Sequence, residues 1–340
     1  MSGPSLLVEG AIVVAATAAI WLGSDWLEGA SDALSSYYGL PMVVQGAVVS
    51  AVGSSFPELA TVVVSALSGS FDLGVGAIVG SAIFNILVIP SVVGVATVEN
   101  VESNRTLVYK EAQFYMIAVS TLVITFALAV IYFRVGDGLR GEVTRPLATI
   151  PLLLYGLYLF IQWQDTAEYV SEAGSNEGVS PRKQWVLLTA GLLVILVAVE
   201  QMVQAVTTIG DAVGTPEFLW GITVVAAATS LPDTLVSLRA ARDDRGVASL
   251  ANVLGSNTFD LLVAIPLGVM IAGTATIDFA IAVPMMGFLT LATVFLFTVL
   301  RTDLELNDAE AYGLLGTYLV FVAWMIGETL GLISGILPGT

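Results

Sequence analysis

A pattern of proline, glycine and polar residues occurs twice in this 340-residue chain, and the spacing of the copies constrains the architecture more than any other feature. A shift of 175 residues places Pro41 on Pro216, Gly46 on Gly221, Ser55 on Ser230, Pro57 on Pro232 and Glu58 on Asp233. The same shift places Gly80-Ser81 on Gly255-Ser256, Phe84 on Phe259 and Asn85 on Asp260. Apolar likeness between helices arises easily by chance. A matched set of prolines, glycines and polar groups marks a duplication.

The copies lie in a chain built to cross a membrane. A spanning helix needs about 20 mainly apolar residues. Ten apolar segments recur, near 5–30, 39–67, 73–97, 112–134, 146–163, 185–208, 215–240, 246–272, 277–300 and 309–334. Only 11% of residues are charged, against roughly 25% in a soluble domain. The ~10-residue alternation of a membrane β-barrel is missing. The first apolar run has no basic residue ahead of it, so it reads as a spanning helix rather than a signal peptide. The expected fold is therefore all-α and polytopic.

Five segments separate each repeated element from its mate. An odd number of crossings reverses direction, so the two copies run oppositely through the bilayer. The expectation is about ten transmembrane helices in two inverted five-helix repeats, 1–163 and 185–340, joined by a polar loop at 164–184. Many secondary transporters are built this way, with the site between the repeats near midplane. Orientation follows from Lys and Arg in the loops. With the N-terminus outside, the inner loops hold Arg105, Lys110, Arg182, Lys183, Arg239, Arg242, Arg245 and Arg301, and the outer loops hold only Arg134, Arg140 and Arg145. Both termini are expected outside the cell membrane.

Composition narrows the chemistry. The chain has no Cys and no His, which excludes disulfides, thiolate or imidazole metal sites and Cys or His nucleophiles. Carboxylates, hydroxyls, amides and carbonyls remain, all hard oxygen ligands suited to Na⁺, Ca²⁺ or Mg²⁺. A net charge of −17 argues against nucleic acid. Membrane lipid and metal ions are the expected partners, and a single copy the expected functional unit.

The repeated motifs read Gly53-Ser54-Ser55-Phe56-Pro57-Glu58 and Ala228-Thr229-Ser230-Leu231-Pro232-Asp233. A mid-helix proline removes a donor and clashes with the carbonyl four residues before it, here Gly53 or Ala228. A carbonyl freed in this way is tolerated in a membrane where it lines a cavity or coordinates something. One copy could be a simple kink. Two copies, each followed by an intramembrane acid, mark an ion pathway. The partner motifs are Gly80-Ser81-Ala82-Ile83-Phe84-Asn85 and Gly255-Ser256-Asn257-Thr258-Phe259-Asp260. Ser81 and Asn85 share a helix face, as do Ser256 and Asp260. Glu58, Asp233 and Asp260 are thus expected to gather with no intramembrane Lys or Arg to balance them. Clustered like charges in low dielectric demand a bound cation or a proton. Glu200 and its repeat mate Asp25 are expected at the aqueous edge, with Glu9 similar.

At these residues the sequence resembles the cation/calcium exchanger superfamily, whose paired α-repeats carry GTS-x-PE or TS-x-PD followed by GSN-x-FN or GSN-x-FD. The resemblance implies ten helices in two inverted halves. It implies Ca²⁺ at Glu58 and Asp233, helped by oxygens of Ser54 and Thr229. It further implies Na⁺ at sites involving Ser55, Ser81, Ser230 and Ser256 with the carbonyls of Ala51 and Ala226, while Asn85 and Asp260 complete the centre. Asp233, Ala82 and the TSLPD/GSNTFD pairing look like animal sodium/calcium and potassium-dependent exchangers. Asp260 leaves K⁺ coupling open, and the missing GN-x-x-E-type signature disfavours H⁺ coupling. The expected function is Na⁺/Ca²⁺ antiport exporting Ca²⁺, with a K⁺-dependent or Ca²⁺/H⁺ exchanger as the alternative. A channel fits an inverted repeat within one chain less well. An intramembrane aspartyl protease using Asp233 and Asp260 would leave the duplicated hydroxyls unexplained. No enzymatic activity is expected.

Overall fold

The computed structural model describes residues 3–38, 51–97, 100–105, 107–136, 138–166, 180–243 and 245–329. The first half contains α1 (Gly3–Tyr37), α2 (Ala51–Ser54), α3 (Phe56–Ser68), α4 (Phe71–Ala96), α5 (Ala112–Tyr132) and α6 (Arg145–Thr166). The second contains α7 (Pro181–Val213), α8 (Glu217–Trp220), α9 (Ala226–Thr229), α10 (Leu231–Arg242), α11 (Gly246–Phe259), α12 (Ile265–Ala272), α13 (Phe279–Arg301) and α14 (Asp308–Thr329). Wide π-helical turns at Leu107–Glu111, Gly221–Val225 and Asp260–Ala264 lead into α5, α9 and α12.

Among the described residues eight helices are long and apolar enough to cross a membrane, and the pair Glu217–Thr229 and Leu231–Arg242, bent by 41°, makes a ninth span. The tenth expected span, 39–67, is represented by α2 and α3; Pro41 and Gly46 lie outside the described residues. The chain is a multi-pass α-helical membrane protein. Leu153, Leu193, Leu291 and Val320 stand exposed on α6, α7, α13 and α14, as a lipid-facing surface requires.

α4 forms the centre. Its sequence is apolar on every side, the pattern of a helix buried all round, and it packs on α3, α13, α14 and the broken helix of the second half. Gly80 permits that crossing: a Cβ there would lie 2.3 Å from the Ile222 carbonyl oxygen, so only glycine lets α4 and the turn at 221–225 meet backbone to backbone. α1 and α7 pack along each other beside this core. At 35 residues α1 is about 52 Å long, so it must tilt or project beyond a ~30 Å hydrocarbon layer. The pair closes tightly where a Cβ on Gly191 would meet the Gly23 carbonyl oxygen at 2.6 Å.

Two short ribbons add to the expected helices. β1 (Val101–Glu102) pairs antiparallel with β4 (Glu305–Leu306), and β2 (Arg140–Thr144) with β3 (Thr274–Asp278). β1 follows α4 as β3 follows α12, and β2 precedes α6 as β4 precedes α14. Each ribbon therefore ties a loop of one half to a loop of the other, and the ribbons are mates under the duplication.

Candidate ion-binding site

Both halves interrupt a helix at the repeated serine. The backbone turns at Ser55 (φ −94°, ψ 12°) and Ser230 (φ −79°, ψ −4°), and α3 and α10 restart immediately after. Pro57 and Pro232 fall in the first turn of the new helix, where a missing N–H costs nothing. The chain accommodates each proline by ending one helix and starting another rather than by kinking a continuous one. Glu58 and Asp233 also stand in those first turns, at the positive end of the helix dipole, which favours the ionised carboxylate.

α4 and α11 bring the partner groups to these breaks. Ser81 donates to Glu58 Oε1 at 3.4 Å, and Ser256 donates to Asp233 Oδ1 at 3.2 Å; these are the same contact in the two halves. The Thr229 hydroxyl neighbours Glu58, and the Ser54 hydroxyl neighbours Asp233, again as mates. Each acid is thus flanked by a hydroxyl from the opposite half. Ser81 Oγ lies 2.8 Å from Ser230 Oγ, and Ser54 Oγ lies 3.3 Å from Ser256 Oγ. The Asn85 amide donates to Asp233 Oδ2 at 3.2 Å and to Asn257 Oδ1 at 3.0 Å. Glu58 is 1% exposed, and Asp233, Asp260, Asn85, Ser55, Ser81 and Ser230 are wholly buried. This is an occluded arrangement.

Five oxygens of this cluster have no hydrogen-bond donor: Ser55 Oγ, Glu58 Oε2, Asn85 Oδ1 and both oxygens of Asp260. The Ser55 hydroxyl neighbours Asp260 without reaching hydrogen-bond geometry. Among the described residues no buried Lys or Arg compensates these acceptors. A buried acceptor without a partner costs on the order of 1–3 kcal/mol, and more when charged, so the oxygens suit a hard cation. Among the described residues no three carboxylates converge on one point. The expected gathering of three acids is therefore a cluster in which hydroxyls and amides stand between them.

Of the predicted residues, Ser54, Ser55, Glu58, Ser81, Asn85, Thr229, Ser230, Asp233, Ser256 and Asp260 come together. Ala51 opens α2. The Ala226 carbonyl accepts from the Ser230 amide at 3.0 Å, and the Thr229 hydroxyl is shared between the carbonyls of Val225 at 3.1 Å and Ala226 at 3.3 Å. Asn257 was not anticipated. Its amide donates to the Ala82 carbonyl at 3.2 Å and to Tyr115 Oη at 3.3 Å while its oxygen receives Asn85. Asn257 and Ala82 are repeat mates, so this amide spans the internal pseudo-two-fold. Asp25 and Glu200 lie at exposed positions, Asp25 paired with Arg239 at 3.5 Å and Glu200, well inside α7, accepting from Gln204 at 3.4 Å.

The profile of the family described as sodium/calcium exchanger protein matches residues 9–164 and 183–327. The chain belongs to this family. The gap between the two matched blocks falls on the polar connection between the halves. An uncharacterised membrane protein of Methanocaldococcus jannaschii, MJ0091, is 28% identical over 249 residues, covering 73% of this chain and 77% of that one. Human sodium/potassium/calcium exchanger 4 is 47% identical over a shorter stretch of 64 residues, 19% of this chain and 10% of that one. The solved structure of the sodium-calcium exchanger NCX_Mj, soaked with Na⁺ and Sr²⁺, has the same fold, with a TM-score of 0.62 at 21% identity over 94% of this chain and 99% of that one. As a cation/calcium exchanger the chain moves ions rather than transforming a substrate.

Proposed function

We propose that this exchanger is a secondary-active Na⁺/Ca²⁺ antiporter that exports Ca²⁺ against the Na⁺ gradient by alternating access. The observation that carries the reading is the set of five sealed oxygens without donors, gathered around Glu58, Asn85 and Asp260. One Ca²⁺ or several Na⁺ supply comparable positive charge, so the same ligands favour either load but not both together. Glu58 and Asp233 hold Ca²⁺ with help from Ser54 and Thr229. Na⁺ uses Ser55, Ser81, Ser230 and Ser256 with the carbonyls of Ala51 and Ala226, the last released when the turn at Ser230 opens. Asn85 and Asp260 complete the centre.

Binding either load neutralises the cavity, and only a neutralised cavity passes cheaply through the occluded state. α1 and α7 carry none of these ligands and pack chiefly on each other, which suits them to move as the gate. A single copy suffices, since both halves of the site come from one chain. The loop charges favour a cell-membrane protein with both termini outside.

The test is uptake of radiolabelled Ca²⁺ into proteoliposomes with Na⁺, K⁺ and pH gradients imposed separately. The expected result is saturable uptake driven by outward Na⁺ alone. Uptake that needs K⁺ together with Na⁺, or a pH gradient instead, would replace Na⁺/Ca²⁺ antiport with the corresponding coupling. Uptake that needs no counter-ion would indicate a channel.

A further inference from the structure

The face of α1 that leads away from the site differs from its counterpart on α7. Ser24, Glu28 and Asp32 follow one another at four-residue intervals and so share one helix face. Ser24 is buried, Glu28 half-buried and Asp32 exposed. They form a polar ladder from the sealed interior to solvent, with Ser31 buried beside them. The 175-residue shift places them on Val199, Val203, Thr207 and, for Ser31, Val206; all three valines are buried. The face of α1 therefore carries oxygens where the corresponding face of α7 carries three buried valines and a threonine.

The ladder abuts the ion site. A Cβ at Gly53, next to Ser54, would lie 3.7 Å from the Glu28 Cα. The Glu28 carboxylate stands within electrostatic reach of Asp233, Asp25, Asp32 and Arg239. Arg239 is engaged at the surface with Asp25. Glu28 itself makes no hydrogen bond or salt bridge with a described residue. Independently, the Ser24 hydroxyl is 1% exposed and has no partner among the described residues. A buried, unsatisfied hydroxyl one turn from an unpaired acid is the donor set of a hydrated cation in passage.

We propose that Glu28, with Ser24 and Asp32, is a staging site for the transported cation that serves one membrane face only. The inference rests on the antiport reading above. With the N-terminus outside, the ladder opens toward the cytoplasm, where Ca²⁺ must be captured from low concentration before export. An acid-lined approach raises the local cation concentration there, and the corresponding face of α7 has no such acids.

The test compares the wild type with Glu28→Gln, Glu28→Val and Glu28→Asp in vesicles of known orientation, with the KM for Ca²⁺ measured at each face. Val is the residue that the counterpart position on α7 already carries, so Glu28→Val gives a second charge-free variant if Glu28→Gln does not fold. Losing the charge should raise KM about tenfold at the face to which the C-terminal end of α1 leads, leaving KM at the other face within about twofold of wild type. Glu28→Asp should restore most of the difference. Equal shifts at both faces, or none at either, would overturn the staging site while leaving antiport intact. A wild type with no Na⁺-driven Ca²⁺ flux would overturn the antiport reading, and this inference with it.

Discussion

Glu58 and Asp233 are acids at the starts of helices, buried where water is excluded. The helix termini and surrounding hydroxyls favour charge on the carboxylates, and the missing basic partners make that charge costly until a cation binds. Glu58→Gln removes one charge at nearly constant volume. Ca²⁺ affinity should fall by about 100-fold or more, the scale of losing one partner from a buried ion pair. Na⁺-driven Ca²⁺ uptake should then be lost while folding persists, as flux assays and thermal melts on the same preparation will check. Retained Na⁺-dependent uptake would remove Glu58 from the binding set. Glu58 and Asp233 were legible in the sequence because the duplication repeats them. Asn257 was not, because its mate is Ala82 and a search for matched positions passes over a pair that differs. Glu28 was hidden for the same reason, opposite Val203.

At the scale of elements, the site is held by helices that meet across the two halves. Gly80 sits where α4 crosses the second broken helix, with no room for a methyl group. Gly80→Ala must push the backbones apart at Ile222 and should destabilise the protein by about 1–3 kcal/mol. It should also separate Ser81 from Ser230, weakening Ca²⁺ binding beyond what the loss of stability explains. Calorimetry with and without Ca²⁺ separates the two effects, and an unchanged melting temperature would contradict the crossing. The helical segments themselves were plain from their apolar lengths. The position of the break was not. A Pro-Glu or Pro-Asp step fits either a kinked helix or a restarted one, and local sequence does not choose between them. The two ribbons were equally hidden, since two to five extended residues in a loop acquire strand geometry only when their partner, more than a hundred residues away, is brought alongside.

For the whole molecule, a sealed cluster of uncompensated acceptors should be less stable empty than loaded. Ca²⁺ at about 100 times its dissociation constant should add about 2.7 kcal/mol to the unfolding free energy. Saturating Na⁺ should stabilise as well, and the two together should stabilise less than the sum of their separate effects, because they share ligands. Thermal melts in chelator, in Ca²⁺, in Na⁺ and in both will test this, and additive stabilisation would mean separate sites. Orientation has its own check, made simple by a chain with no native cysteine. Gly138→Cys should react with a membrane-impermeant maleimide on intact cells, and Asp303→Cys only after permeabilisation. The reverse pattern would invert the proposed topology and with it the face that Glu28 serves.

Membrane residence, helical class and opposed halves were already dictated by local patterns: apolar length, matched motifs and an odd count of crossings. So was the demand for positive charge, since acids in apolar helices need compensation whatever their arrangement. Which oxygens stand together could be decided only in three dimensions. The contacts Ser81–Ser230, Asn85–Asp233 and Asn257–Ala82 join residues 149, 148 and 175 positions apart, and no local preference encodes them. They exist because two inverted halves pack face to face, and that packing leaves five oxygens without donors.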